Sequence, residues 1–184
     1  MKLIKPSLDL VPNYITALER GWSPDNLRPE AAQEQIEIIS KDAASFVSSL
    51  DDPAAKAGPI TLPDGSKVPR LPGIQRWIWE SEFCGTIGFR WKPGTEDLPP
   101  TCLGHIGYAV VPWRRGEGLA SAALVEILPE AKAVGLSYVV ITTSPDNPAS
   151  IRVIEKAGGK RKRSFIADEA VGRLESIEFQ ISLA

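Results

Sequence analysis

Histidine and methionine each occur once in the 184 residues, and cysteine twice. His105, Cys84 and Cys102 share no ligand spacing, so a metal centre would have to be assembled from scattered groups and none is expected. Both cysteines sit in apolar, strand-like surroundings and read as small buried hydrophobes of a reduced, cytoplasmic protein. No stretch reaches the roughly eighteen apolar residues of a membrane span, and the opening Met1-Lys2-Leu3-Ile4-Lys5-Pro6 lacks the apolar centre of an export signal. Charge of one sign is not in excess either. A net charge of -2 gives no support to a nucleic-acid partner, and the one basic run, Lys160 to Arg163, is short enough to read as a solvated strand.

What is present suffices for one substantial core. Leu3 to Lys5 is a short strand before Pro6. Leu10 to Glu19 places Val11, Ile15 and Leu18 on one helical face, with Pro12 in the first turn and Gly21 as a stop. A second helix over Glu30 to Leu50 repeats Ile36, Ile39, Ala43, Phe46, Val47 and Leu50 at helical spacing. The loop from Gly21 to Arg28 carries Trp22, whose indole needs burial and therefore either packs on the domain or lines a pocket. Asp51 to Gly73 is rich in Pro, Gly and Asp and contains a hairpin pattern, Ile60 to Val68, around Asp64-Gly65. Ile74 to Glu80 and Phe83 to Trp91 form a strand pair around Ser81-Glu82. Trp77 and Trp79 lie on one face, and Arg76, Ile78 and Glu80 on the other.

The central stretch, Gly104 to Leu128, reads GHIGYAVVPWRRGEGLASAALVEIL. A strand beginning near Cys102 leads into a glycine-containing turn and then a helix. The first turn of a helix carries backbone N–H groups without intrahelical partners and the positive end of the macrodipole, which together seat an anion. Gly116 and Gly118 keep side chains away from such a ligand, and Arg114 and Arg115 add charge suited to a diphosphate. The helix continues towards Ala133, with Pro129 expected to kink it or split off its last turn. Ser137 to Thr142 is the next strand. Asn147 then caps a helix with Pro148 at its first position, ending at Gly158-Gly159, and strands over Lys160 to Ile166 and Leu174 to Leu183 complete the chain.

Arg115-Gly116-Glu117-Gly118-Leu119-Ala120 fits the Arg-x-x-Gly-x-Gly/Ala signature of the GNAT superfamily of acyl-CoA N-acyltransferases, with Val110-x-Pro112 before it. Asn147 to Gly159 resembles the Asn-x-x-Ser-x-x-Val-x-Glu-Lys-x-Gly helix of the branch that includes ribosomal-protein alanine acetyltransferases. The resemblance covers about Arg76 to Leu183. It implies an α/β fold of α+β type, a mixed, mostly antiparallel central sheet splayed at its fourth strand with helices on both faces. One domain is expected over 1–184, with a variable helical part at 1–73, including a flap-like loop at 51–73, and an acyl-CoA-binding core at 74–184. The implied acceptor is a peptide or small-molecule amine; from composition no membrane and no nucleic acid are expected, and a monomer or a homodimer is left open.

The resemblance further implies acetyl-CoA as co-substrate, attacked directly by a primary amine. It places the pyrophosphate on Arg115, Gly116, Gly118, Leu119 and Ala120, and the pantetheine arm along the backbone of Tyr108, Ala109 and Val110, with the Val110 N–H polarising the thioester. Asn147 is either a side-chain contact to that arm or a plain helix cap. Many relatives use a tyrosine four residues before the glycine of the last helix as the acid for the leaving group, and Ile154 stands there instead. Ser150 takes that role by resemblance, with a local hydrogen-bonding role as the alternative. His105 is the one side chain that ordinarily titrates near neutrality, yet strand parity points it away from Gly104 and Ile106, where related families carry a base; a structural histidine is the alternative. Glu80, Glu82 and Glu117 are weaker bases. Tyr108 and Trp22 are candidates for contact with the acceptor, each with core packing as the alternative. Without the usual tyrosine, an acyl-CoA-binding regulatory domain that has lost turnover is the competing expectation.

Overall fold

A computed structural model of the chain describes residues 1–26, 28–62 and 64–183. Leu27 of the Trp22 loop and Pro63 of the hairpin pattern lie outside the described residues. The N-terminal part holds β1 (Lys2–Ile4), α1 (Val11–Glu19), α2 (Ala31–Ser49), β2 (Asp51–Asp52), β3 (Ile60–Thr61) and β4 (Lys67–Val68). Then follow β5 (Gly73–Trp79), β6 (Phe83–Arg90), β7 (Ile106–Val110), α3 (Leu119–Ala133), β8 (Tyr138–Thr143), α4 (Pro148–Lys156), β9 (Lys160–Ile166) and β10 (Glu175–Ser182).

The strands form two sheets. One runs β1-β5-β6-β7 with β2 also on β5, the other β8-β10-β9, and every ladder is antiparallel; β3 and β4 make the small hairpin expected around Asp64-Gly65. Strand alternation divides the side chains between two cores. Ile74 and Ile78 of β5 and Ile106 of β7 pack with α3 residues Leu124 and Ile127 and with Ile154 of α4. Trp77, Ala109 and Val111 face the other way, against Tyr14 and Leu18 of α1 and Phe46 of α2. The expected parity of Trp77 and Trp79 is therefore the observed one.

Two helices contain a residue that interrupts helical hydrogen bonding. The second helix was expected to run unbroken, but α2 breaks at Asp42 (φ -159°, ψ 89°), whose carboxylate accepts the Ser45 N–H at 2.9 Å. Asp competes with the helix for backbone donors, so it restarts the second half as an internal cap. Pro129 lies inside α3, which continues past it to Ala133, so the last turn is not split off. Ile127 and Ala131, both fully buried on either side of it, hold the last turn onto the core.

Between β7 and β8 there is no ladder, and the sheet parts there. The strand expected from Cys102 begins its ladder only at Ile106, because the residue before it is used to bridge the two sheets. His105 N–H donates to the Val140 carbonyl (2.7 Å), the Val140 N–H donates to His105 Nδ1 (2.9 Å), and the His105 carbonyl accepts from Arg90 N (2.9 Å). The imidazole thus replaces a backbone carbonyl as acceptor and closes the seam below the gap. Gly85 shapes the other edge of β7. Its φ is +142°, and a Cβ there would press on the Ala109 carbonyl and stand 2.8 Å from Val110 Cα.

Gly85→Ala is expected to destabilise the fold by about 2 kcal/mol or more, combining backbone strain with a steric clash; an unchanged melting temperature would contradict this register. Burial depresses the His105 pKa to about 4 from its ordinary 6.5, with nearby Arg90 adding to the effect. The folded chain therefore holds the ring neutral. Its contribution to stability is intact above pH 6.5 and is lost as pH falls through about 4. Lowering the pH from about 7 to about 5 should accordingly reduce the melting temperature of the wild type more than that of His105→Asn, whose amide oxygen can still accept the Val140 N–H. Equal reductions would show that this imidazole is not the pH-sensitive joint.

Candidate active site

The hydrogen-bonding direction of β7 decides what faces the gap. Val111 N donates to the Cys84 carbonyl of β6 at 3.0 Å, so Val111 and, by alternation, Ala109 and Gly107 turn their backbone groups to β6. Tyr108 and Val110 turn theirs to the open side. Asn26 Nδ2 donates to the Tyr108 carbonyl at 3.1 Å, and Arg115 Nε to the Val110 carbonyl at 3.2 Å. Ala109, expected among the residues lining a bound arm, is corrected by this alternation: its backbone is committed to Thr86 of β6, and its side chain is buried.

Past β7 the chain makes a short 3-10 turn over Pro112–Arg114 and then passes Gly116 (φ 85°) and Gly118 (φ 80°) into α3. Both glycines lie in the left-handed region that other residues enter only at a cost. No atom lies within 4 Å of a Cβ built at either, so the surface of this turn is open. The first intrahelical bond runs from Ala122 N to Gly118 O, and Gly118 offers no side-chain cap. The amides of Leu119, Ala120 and Ser121 therefore project from the helix start, while the Leu119 side chain is buried in the core below them. A shallow hollow lined by Ser121, Ala122, Val125, Glu126 and Lys156 adjoins Gly118.

The two arginines of the turn divide their work. Arg114, read from sequence as a second phosphate cation, is instead held by three carboxylates: Glu117 (Nε to Oε2, 2.9 Å), Glu82 (Nη1 to Oε1, 3.3 Å) and Glu80. Glu117 and then Glu80 push its pKa still higher, so it stays charged and bound to them. Single exposed pairs contribute little, but this network ties the glycine turn to the β5–β6 connection. It also engages the three weaker candidate bases, Glu80, Glu82 and Glu117, each paired with Arg114. Arg115 is exposed, and its guanidinium hydrogen bond to Val110 is neutral at the acceptor end.

At the far side of the gap, Asn147 Oδ1 accepts the Ser150 N–H at 3.0 Å and caps α4. Ser150 Oγ lies 2.8 Å from Tyr108 Oη, so the first turn of α4 and β7 meet across the gap through two hydroxyl groups. Burial pushes the Tyr108 phenol above its ordinary pKa, opposed by the Ser150 hydrogen bond. Ile154, one turn later, is fully buried.

Two expected site residues are placed elsewhere. Trp22 is 1% exposed, with its ring centroid 5.4 Å from Tyr14 and 5.1 Å from Phe83. Burying an indole stabilises by about 3 kcal/mol, and each aromatic pair by about 1 more, so packing outweighs pocket lining at this position. His105 is fully buried with Nδ1 engaged, which leaves it as the joint described above and not as a base open to substrate. Asn26 was not singled out from sequence. Its contact spans 82 positions, and an asparagine in a polar loop carries no local sign of it. A separate cavity between the 96–103 loop and the β8-β10-β9 face, lined in part by Cys102, Tyr138 and Phe165, lies at the start of β8, away from the gap.

Comparison with known proteins follows the same lines. No curated protein sequence matches the chain. Among solved structures, the ribosomal L7/L12 α-N-protein acetyltransferase RimL, in complex with coenzyme A, superposes with a TM-score of 0.62 at 14% identity, over 98% of this chain and 92% of that one. The microcin C7 self-immunity acetyltransferase MccE, in complex with acetyl-CoA and AMP, gives 0.60 at 11% identity over 98% and 91%. The Salmonella typhimurium protein yncA, with its cofactor acetyl-CoA, gives 0.53 at 14% identity over 100% and 92%. At these identities the likeness concerns the fold. Residues 16–160, most of the chain, match the acetyltransferase (GNAT) domain, with β7, β8, the left-handed glycine turn and the capped α4 all inside that match; the chain belongs to the GNAT acetyltransferase family.

Proposed function

We propose that this protein moves an acetyl group from acetyl-CoA to a primary amine, on a small molecule or a protein N-terminus, by direct attack while both substrates are bound. The reading treats the whole chain as one transferase domain acting in the cytoplasm. The observation that carries it is the pairing of two features at one gap. An open left-handed glycine turn leads into an uncapped helix start, and the Tyr108 and Val110 backbone beside it faces no neighbouring strand. In this reading the amides after Gly118 and the Arg115 guanidinium hold the donor's pyrophosphate. The edges of Tyr108 and Val110 pair with the amide-bearing arm as an added strand would, and the Val110 N–H stabilises negative charge on the carbonyl oxygen during attack. Asn147, with its oxygen engaged on Ser150, has its amide nitrogen left to meet the arm.

What these groups supply is mainly alignment. Bringing an amine and a thioester into reacting geometry contributes on the order of 7 kcal/mol or more when alignment is ideal. The competing reading, a regulatory domain that binds acyl-CoA without turnover, draws on buried Ile154 in place of the usual tyrosine. RimL and MccE, named for a protein and a self-immunity role respectively, suggest both kinds of acceptor.

Calorimetry and a thiol-release assay separate the possibilities. Arg115→Ala should weaken acetyl-CoA binding about tenfold, the size of one charged hydrogen bond. Gly118→Glu, which forces a side chain into a left-handed turn and adds negative charge, should abolish binding; unchanged affinity in both variants would refute the donor site. Release of free thiol that depends on an added amine supports the enzyme, whereas tight binding without release over a broad amine panel supports the regulatory domain.

A further inference from the structure

Transfer leaves a thiolate that needs a proton, and the residues ordinarily looked to for one are engaged elsewhere. His105 is sealed in the seam, Glu80, Glu82 and Glu117 are held by Arg114, and Ile154 is apolar. Two hydroxyl groups do meet at the gap. Tyr108 Oη and Ser150 Oγ are 2.8 Å apart, each on a half-buried residue, and Tyr108 belongs to the β7 edge along which the donor arm is placed. The Asn147 cap fixes Ser150 in the first turn of α4.

We infer that Tyr108 and Ser150 form a two-hydroxyl proton relay to the leaving sulfur, with Tyr108 acting through Ser150 and supplying from β7 a phenol where Ile154 stands on α4. This rests on the acetyl-transfer reading and assigns the acid in it. The amine nitrogen attacks the thioester carbonyl carbon, forming the C–N bond. As the C–S bond breaks, its electron pair stays on sulfur. The Ser150 hydroxyl gives its proton to that sulfur and takes the phenol proton of Tyr108. The phenolate regains a proton from water, which also receives the proton lost by the nitrogen, so the net change is thioester plus amine to amide plus thiol. A phenol holds its proton through the neutral range, so the relay starts from the acid form; burial, which raises the Tyr108 pKa, leaves that protonation state unchanged. The hydrogen bond also closes the gap on the α4 side, so proton source and leaving atom are brought together when the arm enters.

The test compares Tyr108→Phe, Ser150→Ala and the double variant in steady-state turnover and in calorimetric binding of acetyl-CoA. Each single change should lower kcat about a hundredfold, the lower end for general acid catalysis, with the dissociation constant for acetyl-CoA moving less than about twofold. In a relay the double variant is no slower than the worse single one. Ser150→Thr, which keeps a hydroxyl, should recover most of the rate. Undiminished kcat in Tyr108→Phe, a loss confined to KM, or single losses that multiply in the double variant would each overturn the relay while leaving the transferase reading intact. A wild type that releases no thiol with any amine would overturn both. If Tyr108→Phe does not fold, 3-fluorotyrosine at position 108 keeps the shape and lowers the phenol pKa. The alkaline fall of kcat should then move to lower pH, and an unmoved profile would overturn the relay.

Discussion

A backbone edge that finds no neighbour in its own fold is the constraint on which this structure turns. Buried peptide groups are nearly always paired, and most of β7 obeys that rule through its ladder with β6. On its other side the strand that would complete the sheet joins β10, and contact with β8 is reduced to the hydrogen bonds around His105. Below that seam the two sheets act as one floor for the α3 and α4 core. Above it they separate, and Tyr108 and Val110 are left with polar groups directed into a gap.

The protein answers that exposure with its own side chains. Asn26, from the loop between α1 and α2, takes the Tyr108 carbonyl, and Arg115, from the glycine turn, takes the Val110 carbonyl. Each is a single neutral-acceptor bond between surface groups, and such a bond contributes only about 1 kcal/mol. Under the proposed function, a strand-like arm offering amide donors to the same carbonyls would replace them at small cost. Under the proposed function, the same exchange frees Arg115 for phosphate and releases Asn26 from the strand.

Rigidity around the gap comes from elements that do not touch it. The aromatic group of Tyr14, Trp22, Trp77 and Phe83, with Tyr14 and Trp77 stacked at 5.2 Å, fixes α1 and its following loop on the β5–β6 face. Arg114 anchors the glycine turn from outside through Glu80, Glu82 and Glu117. An arginine is suited to this position because its planar fork can serve several carboxylates at once, which a lysine ammonium does less well. One arginine is thereby spent on position, and its neighbour Arg115 remains exposed beside the projecting amides.

Local physical chemistry wrote much of this molecule into its sequence. The alternation of Trp77 and Trp79 against Ile78, the left-handed demand met by Gly116 and Gly118, the Asn147-Pro148 helix start and the Asp64-Gly65 hairpin are all settled by residues within a few positions of one another, so periodicity and turn chemistry disclose them. Asp42 was legible as a residue but not in its effect. The break in α2 depends on Asp42 outcompeting the helix for a backbone donor, and the continuity of α3 on the burial of Ile127 and Ala131. Tertiary structure alone decided that Trp22 and His105 serve packing and the seam, that Arg114 faces carboxylates, that Asn26 reaches Tyr108, and that Tyr108 meets Ser150. Each of those outcomes is a contact between segments far apart in the chain, whose partners are chosen by how two cores pack on opposite faces of a parted sheet, and no local pattern of residues encodes that choice.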